Sequence, residues 1–297
     1  MSRAGFVSIL GRPNAGKSTL LNALLGQKLA IVSSRPQTTR TSIQGVLTLP
    51  DAQLIFIDTP GIHKSDSLLN KRMMDTIRAH TETDVGLFVV DALAPFTELD
   101  TQAVDLVKKS SAPVLAVINK VDHLERKDKV LEIIDRYREL HGFAAYIPVS
   151  ALTGEGLDIL KNEIMQRLPE GPALFPEDHV TDQPERFLVA EILREKILRL
   201  THQEVPHAVA VLIENWDDSP NLLRIAASIY VERPGQKTIL IGSGGALLKK
   251  IGTLARQELE QVFGKKVFLQ TFVKVRPNWR EDPEFLAHAD WRSMAGI

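Results

Sequence analysis

The chain of 297 residues contains no cysteine. Disulfides and thiolate metal centres are therefore excluded, and an intracellular setting is consistent with that absence. Long apolar runs are missing too: none approaches the ~18 residues a membrane-spanning helix needs. The chain is expected to be soluble, with any membrane contact peripheral. It enters a core strand almost at once, so no signal peptide is expected. An excess of one charge is also lacking, since 36 Lys and Arg stand against 37 Asp and Glu. A neutral whole exerts no global attraction on nucleic acid, so any nucleic-acid face must be a local patch. What remains is the composition of a globular protein, 44% hydrophobic and 25% charged, long enough for two domains of ordinary size.

The stretch Gly11-Arg12-Pro13-Asn14-Ala15-Gly16-Lys17-Ser18 fits the phosphate-loop pattern G-x-x-x-x-G-K-[S/T]. Gly11 and Gly16 can take backbone conformations closed to other residues, letting successive N–H groups, including that of Ala15, surround phosphate oxygens. Lys17 supplies a positive charge to the outer phosphates, and the Ser18 hydroxyl is a ligand for Mg²⁺. Phe6–Leu10 reads as a strand before the loop, and Thr19–Leu25 as a helix after it, ended by Gly26. A helix starting here offers its unpaired N–H groups to the same anion. The pattern predicts a nucleoside triphosphate.

Residues 31–42 lack periodicity and read as a long loop. Strands are expected at Ile43–Leu49 and at 54–57, the second running into Asp58-Thr59-Pro60-Gly61. Asp58 at a strand end suits Mg²⁺, and the Gly61 N–H can approach a γ-phosphate. Helices are predicted at 68–80, 101–109, 125–140 and 157–168, alternating with strands at 85–90, 114–118 and 144–148. That alternation implies an α/β domain, a mostly parallel sheet covered on both faces, with its ligand at the carboxyl ends of the strands. Asn119-Lys120-Val121-Asp122 lies at one such end. The Asp122 carboxylate can accept the N1–H and exocyclic amine of guanine, a donor pair adenine lacks. The stem of Lys120 can lie over the base, and Ser150-Ala151-Leu152 offers backbone N–H groups to the guanine O6.

This ordered set resembles the GTP-binding domain of translation-factor-type P-loop GTPases. Pro36-Gln37-Thr38-Thr39-Arg40 and Asp58-Thr59-Pro60-Gly61-Ile62-His63-Lys64 resemble the Era GTPase family in particular. The resemblance implies GTP/GDP and Mg²⁺ as cofactors, with contacts from Gly11, from Asn14 to Thr19, from Asp58 and Gly61, from Asn119, Lys120 and Asp122, and from Ser150 to Leu152. It implies that Thr39, and less readily Thr38, closes on Mg²⁺ and the γ-phosphate beside Ser18 and Asp58, and that Lys17, Thr39 and Gly61 carry the catalysis. Ile62 stands where Ras-like proteins place a water-orienting Gln, so no side-chain base is assigned and intrinsic hydrolysis is expected to be slow. Asn14 resembles the asparagine that helps hold K⁺ in related GTPases, where the ion can stand in for an arginine finger.

A connector of about fifteen residues, rich in Pro and Gly, follows residue 170. This divides the chain into residues 1–170, a linker at 171–184, and a second domain at 185–297. There a helix at 185–200, strands at 208–216 and 223–231, a helix at 246–263 and a strand at 266–275 are expected. Pattern alone makes 237–241 a strand. The order of elements instead resembles a bacterial-type KH domain, in which this segment is a short helix entering a G-x-x-G loop, here Gly242-Ser243-Gly244-Gly245. Such a loop lets a sugar–phosphate backbone approach while bases lie along an aliphatic groove. Ile241, the loop, Lys249 and Lys250 are the candidate RNA contacts; Ser243 replaces a lysine frequent in the family. Between residues 233 and 276 nine basic residues face only Glu258 and Glu260, a local basic bias. The fate of the tail with Trp279, Phe285 and Trp291, packed or frayed, stays open.

The resemblance to Era GTPases spans nearly the whole chain. It implies a GTP-hydrolysing switch that binds the 3′ end of small-subunit ribosomal RNA during assembly of the 30S subunit. By the same resemblance it would act as a cytoplasmic monomer without a DNA partner, with some peripheral association at the inner face of the cell membrane. The competing readings are a GTPase whose second domain binds protein or membrane, an adenine-nucleotide kinase, and a tandem GTPase, against which the single phosphate loop counts.

Overall fold

A computed structural model describes residues 2–35, 37–62, 67–79 and 83–290. The chain divides into two units. The first holds Met1–Ala30, Thr39–Asp66 and Asn70–Asp182; the second holds Ile31–Thr38, Ser67–Leu69 and Gln183–Ile297.

The first unit is a six-stranded sheet in the order β2-β3-β1-β4-β5-β6. Its strands are β1 (Arg3–Gly11), β2 (Ile43–Leu49), β3 (Ala52–Asp58), β4 (Val85–Asp91), β5 (Val114–Asn119) and β6 (Ala145–Val149). All neighbouring pairs are parallel except β2–β3, which a turn at residues 50–51 joins as a hairpin. The helices are α1 (Lys17–Leu25), α2 (Leu68–Ala79), α3 (Glu98–Val107), α4 (Lys129–Leu140) and α5 (Leu157–Met165). The apolar strands carry two cores because successive side chains point to opposite faces. Ile9, Leu87, Val89, Leu115 and Val117 pack with Leu20, Leu24, Leu160 and Ile164 on one face. Leu10, Phe88, Val90, Ala116 and Ile118 pack with Ile77, Val104 and Tyr137 on the other.

Register gathers the motif residues at one sheet edge. Ile9 pairs with Asp58, Gly11 with Val89, Asp91 with Asn119, and Asn119 with Val149. The order β3-β1-β4 means that connections leave β1 toward opposite faces, which opens a crevice at its carboxyl end.

Two helix starts beyond α1 differ from the sequence expectation. α3 begins at Glu98 rather than 101, because Thr97 and Asp100 form a capping box. α4 begins at Lys129 rather than 125, because residues 121–123 form a separate 3₁₀ turn after Lys120, whose φ is 71°. The connector is tied down along its length. Leu174 and Phe175 N–H donate to Gln53 Oε1 at 2.7 and 2.9 Å, and Val46 N–H donates to the Val180 carbonyl at 2.8 Å.

The second unit has α6 (Glu185–Leu200), β7 (Ala210–Ser219), β8 (Leu222–Val231), α7 (Pro234–Ile241), α8 (Ala246–Phe263), β9 (Lys266–Val275) and α9 (Pro283–His288). The sheet order is β7-β8-β9, with β7–β8 antiparallel and β8–β9 parallel. Residues 237–241 are helical. Pro234 in the first turn suits a helix start, and Leu240 is buried in the core with Ile251 and Ala255. The tail packs: Trp279 is buried and donates from Nε1 to the Ala208 carbonyl at 2.9 Å, and Phe285 lies beside it. Trp291 lies outside the described residues, as do Pro36, His63 and Lys64.

Candidate active site and the second glycine loop

β1 ends at Gly11 and α1 begins at Lys17, two positions earlier than the apolar pattern predicted, so the loop lies between a strand end and a helix N-terminus. The first helical bond runs from Leu20 N–H to Gly16 O, which leaves the N–H groups of Lys17, Ser18 and Thr19 at the open end. No acidic residue stands in that first turn to compete with an anion. Gly16 has φ 94°, and a Cβ there would come within 2.2 Å of Asn119 Nδ2. Ala15 is buried, and Asn14 is left-handed with φ 63°. Gly61 lies so close to the loop that a Cβ would meet Pro13 Cα at 2.7 Å.

Lys17 Nζ donates to the carbonyls of Gly11 and Arg12 at 3.2 and 3.0 Å. Burial lowers its pKa to about 8, against the pull of Asp58. Burial likewise raises Asp58 to about 6, offset by Lys17 and by the hydroxyls of Ser18 and Thr39. Ser18 Oγ donates to Asp58 Oδ2 at 2.6 Å and lies 2.8 Å from Thr39 Oγ1. Asp58 Oδ1 is buried and has no hydrogen-bond partner among the described residues. Three oxygen donors converge with one lone carboxylate oxygen left over, a set suited to a hard divalent cation such as Mg²⁺. Thr38 does not join them; its hydroxyl donates to the Arg35 carbonyl at 2.6 Å. Ile62 is buried among Leu10, Ile77 and Phe88, so it adds no polar group.

At the far end of the crevice the side chain of Asn119 is a brace. Its Nδ2 donates to the Ala15 carbonyl at 2.9 Å, and its Oδ1 accepts the Ala151 N–H at 3.0 Å. This corrects one expectation. Ser150 N–H is engaged by the Glu155 carbonyl at 2.9 Å and Ala151 N–H by Asn119, so two of the three donors foreseen for guanine O6 hold the loop itself. No described hydrogen bond engages the N–H of Leu152, whose side chain is exposed. Lys120 Nζ bonds Asn14 O at 2.8 Å and Asp91 Oδ2 at 2.6 Å, which stretches its stem across the site. Asp122 is an exposed residue whose side chain is mostly covered, and its Oδ2 lies 3.3 Å from His123 Nε2.

The sequence reading missed Arg12, Asp91 and Asp100. Arg12 pairs with Asp100 at 2.5 Å, and Asp100 also accepts from Tyr137 at 2.7 Å, anchoring the loop to α3 and α4. That phenol's pKa is pushed up, first by burial and then by the carboxylate. Asp91 ends a buried strand as Asp58 does, a signal that was available.

In the second unit Gly242 has φ 74°, and a Cβ there would meet Leu247 Cβ at 2.9 Å. Residues 243–245 form one 3₁₀ turn into α8, with Ser243 exposed. A groove of about 370 Å³ runs beside it, lined by Gly245, Leu248, Lys249, Gly252, Thr253, Arg256, Leu269 and Thr271. Ile241 and Lys250 flank the loop without lining that groove. The basic bias is smaller than the sequence count suggested. Lys265 pairs with Asp218, Lys274 with Glu214 and Arg276 with Asp282, acids that lie outside the counted window. Among the described residues no salt bridge engages Lys249 or Lys250, and both are exposed. These two charges sit in the first turns of α8, directly after the glycine loop.

A phosphate loop, a hydroxyl–carboxylate cluster and an N-K-x-D turn on a doubly covered, mostly parallel sheet define a P-loop GTPase, here followed by a KH domain. Comparison agrees: the family model of the 50S ribosome-binding GTPase matches residues 6–120, and that of the KH domain matches 204–280. GTPase Era of Syntrophus aciditrophicus is 48% identical over 96% of this chain and 94% of its own length. GTPase Era of Geobacter metallireducens is 50% identical over 96% of each. A crystal structure of Era in complex with MgGDPNP and nucleotides 1506–1542 of 16S ribosomal RNA superposes with a TM-score of 0.95 at 42% identity, covering 98% of this chain and 99% of that one. A point variant of Aquifex aeolicus Era bound to GDP·AlF₄⁻ gives 0.94 at 43% identity, covering 97% and 99%. The chain belongs to the Era GTPase family, and it is a GTP-hydrolysing enzyme that uses Mg²⁺.

Proposed function

We propose that the chain is a nucleotide-controlled switch that binds the single-stranded 3′ end of small-subunit ribosomal RNA during assembly of the 30S subunit. The observation that carries this is the glycine loop with its groove and its two unpaired lysines, in a chain that superposes on an Era protein crystallised with nucleotides 1506–1542 of 16S ribosomal RNA. Residues 1–170 are proposed as the nucleotide-binding part and 185–297 as the RNA-binding part, joined by 171–184.

In the first part Ser18, Thr39 and Asp58 would hold Mg²⁺, which when bound supplies charge neutralisation for the phosphates. The N–H groups from Ala15 to Thr19 bind the phosphates, and Lys17 and the Gly61 N–H stabilise charge at the γ-phosphate. Asp122 reads guanine, with Lys120 across the base and Asn119 bracing both loops. Buried Ile62 offers no polar group at the position after Gly61, so no side-chain base is assigned and intrinsic hydrolysis is proposed to be slow. Asn14, exposed at the loop crest, is proposed to help hold K⁺. Hydrolysis is then expected to run at least several-fold faster in K⁺ than in Na⁺ buffer, and Asn14→Ala should abolish the difference. Equal rates for the unaltered protein would remove the ion from the scheme.

RNA binding is tested with a ribosomal 3′-end oligonucleotide, compared in GDP and in a non-hydrolysable GTP analogue. Tighter binding with the analogue is expected; equal affinities would end the switch model. Replacing Lys249 and Lys250 by Ala should weaken binding and reduce the slope of log K against log [salt] by about 1.4, at ~0.7 per phosphate contact on a single strand. Among the described residues no helix is long and apolar enough to cross a membrane. Peripheral attachment at the inner face of the cell membrane is a separate proposal, tested by flotation with anionic vesicles, and the monomeric state is tested by sedimentation.

A further inference from the structure

Asp100 carries a buried charge that its place in α3 does not require. As the third residue of that helix it completes the capping box, its Oδ2 accepting the Thr97 N–H at 2.8 Å. An amide oxygen would accept that bond equally well, and a neutral side chain would avoid the cost of burying a carboxylate. The residue is nonetheless only 4% exposed, and two further groups converge on it. Arg12 donates from Nη1 to Oδ2 at 2.5 Å, and the Tyr137 hydroxyl donates to Oδ1 at 2.7 Å. The charge is matched to the guanidinium, not to the helix cap.

The anchor point is firm. Tyr137 is buried beside Phe88 of β4 and Phe96, with ring centroids 5.9 and 5.7 Å away. Arg12 Nη1 also donates to the Pro95 carbonyl at 3.2 Å. The main chain of Arg12 in turn holds Lys17. Lys17 Nζ donates to the carbonyls of Gly11 and Arg12 at 3.2 and 3.0 Å, and these belong to the two peptide units that meet at the Arg12 Cα. Each peptide unit is planar, so that Cα and its two dihedrals set both acceptors. Pro13 narrows the choice by restricting the backbone of the residue before it. The Gly11 carbonyl also accepts the Ile62 N–H at 3.2 Å. All of these residues lie in the first unit.

We propose that Asp100 and Arg12 are positioning residues for GTP hydrolysis: the pair pins the Arg12 Cα to the start of α3 and so aims Lys17 at the outer phosphates. This rests on the role assigned to Lys17 above. A hydrogen bond between charged groups contributes enough that its loss corresponds to about a tenfold change.

The test replaces the pair together, Arg12→Met with Asp100→Asn, so that no unpaired charge is buried and the Asn oxygen still caps α3. Affinity for a non-hydrolysable GTP analogue, single-turnover kcat at saturating GTP and Tm are measured with Lys17 present and again beside Lys17→Met. With Lys17 present, the double variant should bind the analogue about tenfold more weakly and hydrolyse GTP about tenfold more slowly. Beside K17M it should change neither quantity further, because residues that act through one group are not additive. R12K, which returns one donor to an intact Asp100, should recover part of the loss, and it carries the same comparison should the double variant lose its fold. If the pair's removal leaves either quantity within twofold, the anchor is wrong. It is equally wrong if the same factor is lost with and without Lys17, since the pair then serves the fold only. If K17M by itself hydrolyses GTP at the unaltered rate, the role of Lys17 fails and the anchor falls with it. A slow K17M beside a double variant of unaltered rate condemns the anchor alone.

Discussion

Asp122→Asn should cost the enzyme its preference for guanine. A site built to accept two donors leaves its polar groups unmatched when the partner changes, and such mismatches discriminate by about 10⁴. kcat/KM for GTP is expected to fall by about that factor. Xanthosine triphosphate, which carries a carbonyl where guanine carries its amine, should become the better substrate, since the Asn amide can donate to that carbonyl. The backbone ought to tolerate the change. Asp122 lies in a short 3₁₀ turn entered from a left-handed Lys120, and Asn suits such a turn as well as Asp does. Steady-state kinetics with both triphosphates decide the matter; a variant that still prefers GTP would falsify the assignment of Asp122 to the base.

The second large effect is expected at Lys17. Arg12 lies in the loop and Lys120 beside it, but each is anchored on a carboxylate, Asp100 and Asp91 respectively. Neither can move to replace the missing charge. Lys17→Met keeps the stem and removes the ammonium, and single-turnover hydrolysis should fall by about 10³, the loss seen when a transition-state donor is removed. Stability should not fall with it. Burial already holds the ammonium at a pKa of about 8, so the folded protein carries a cost there that the methionine relieves. A variant that loses both activity and Tm would mean that Lys17 serves the fold rather than the phosphate.

Much of this site was legible because its parts are local. Residues 11–18 carry a strand end, a turn and a helix start within one short stretch, and each fixed residue type answers a need of a bound phosphate. Asp58 and Asp122 stand at the ends of apolar runs, and the strand–helix alternation alone places such ends on one sheet edge. The strands at 43–49 and 266–275 and the helices at 185–200 and 246–263 were readable with their bounds from hydrophobic period and turn residues. The start of α3 was not read, since its cap is a pair of polar side chains outside the apolar period. The helix at 234–241 contradicted its own pattern; resemblance supplied it, and Pro234 with buried Leu240 explains it.

Charge was the least legible property. Counting residues 233–276 suggested a broad basic face, yet Asp218, Glu214 and Asp282 cancel three of its members from elsewhere in the chain. The N–H groups of Ser150 and Ala151 looked free because Glu155 and Asn119 cannot be seen as their acceptors from sequence. By itself the sequence determined the ligand class, the base, most of the order of elements and the family, since those rest on residue types at short spacing. Only the tertiary structure decided which donors and charges stay unpaired. Hydrogen bonds and ion pairs are settled by whichever partner folding brings within about 3 Å, and that partner can be 156 positions away.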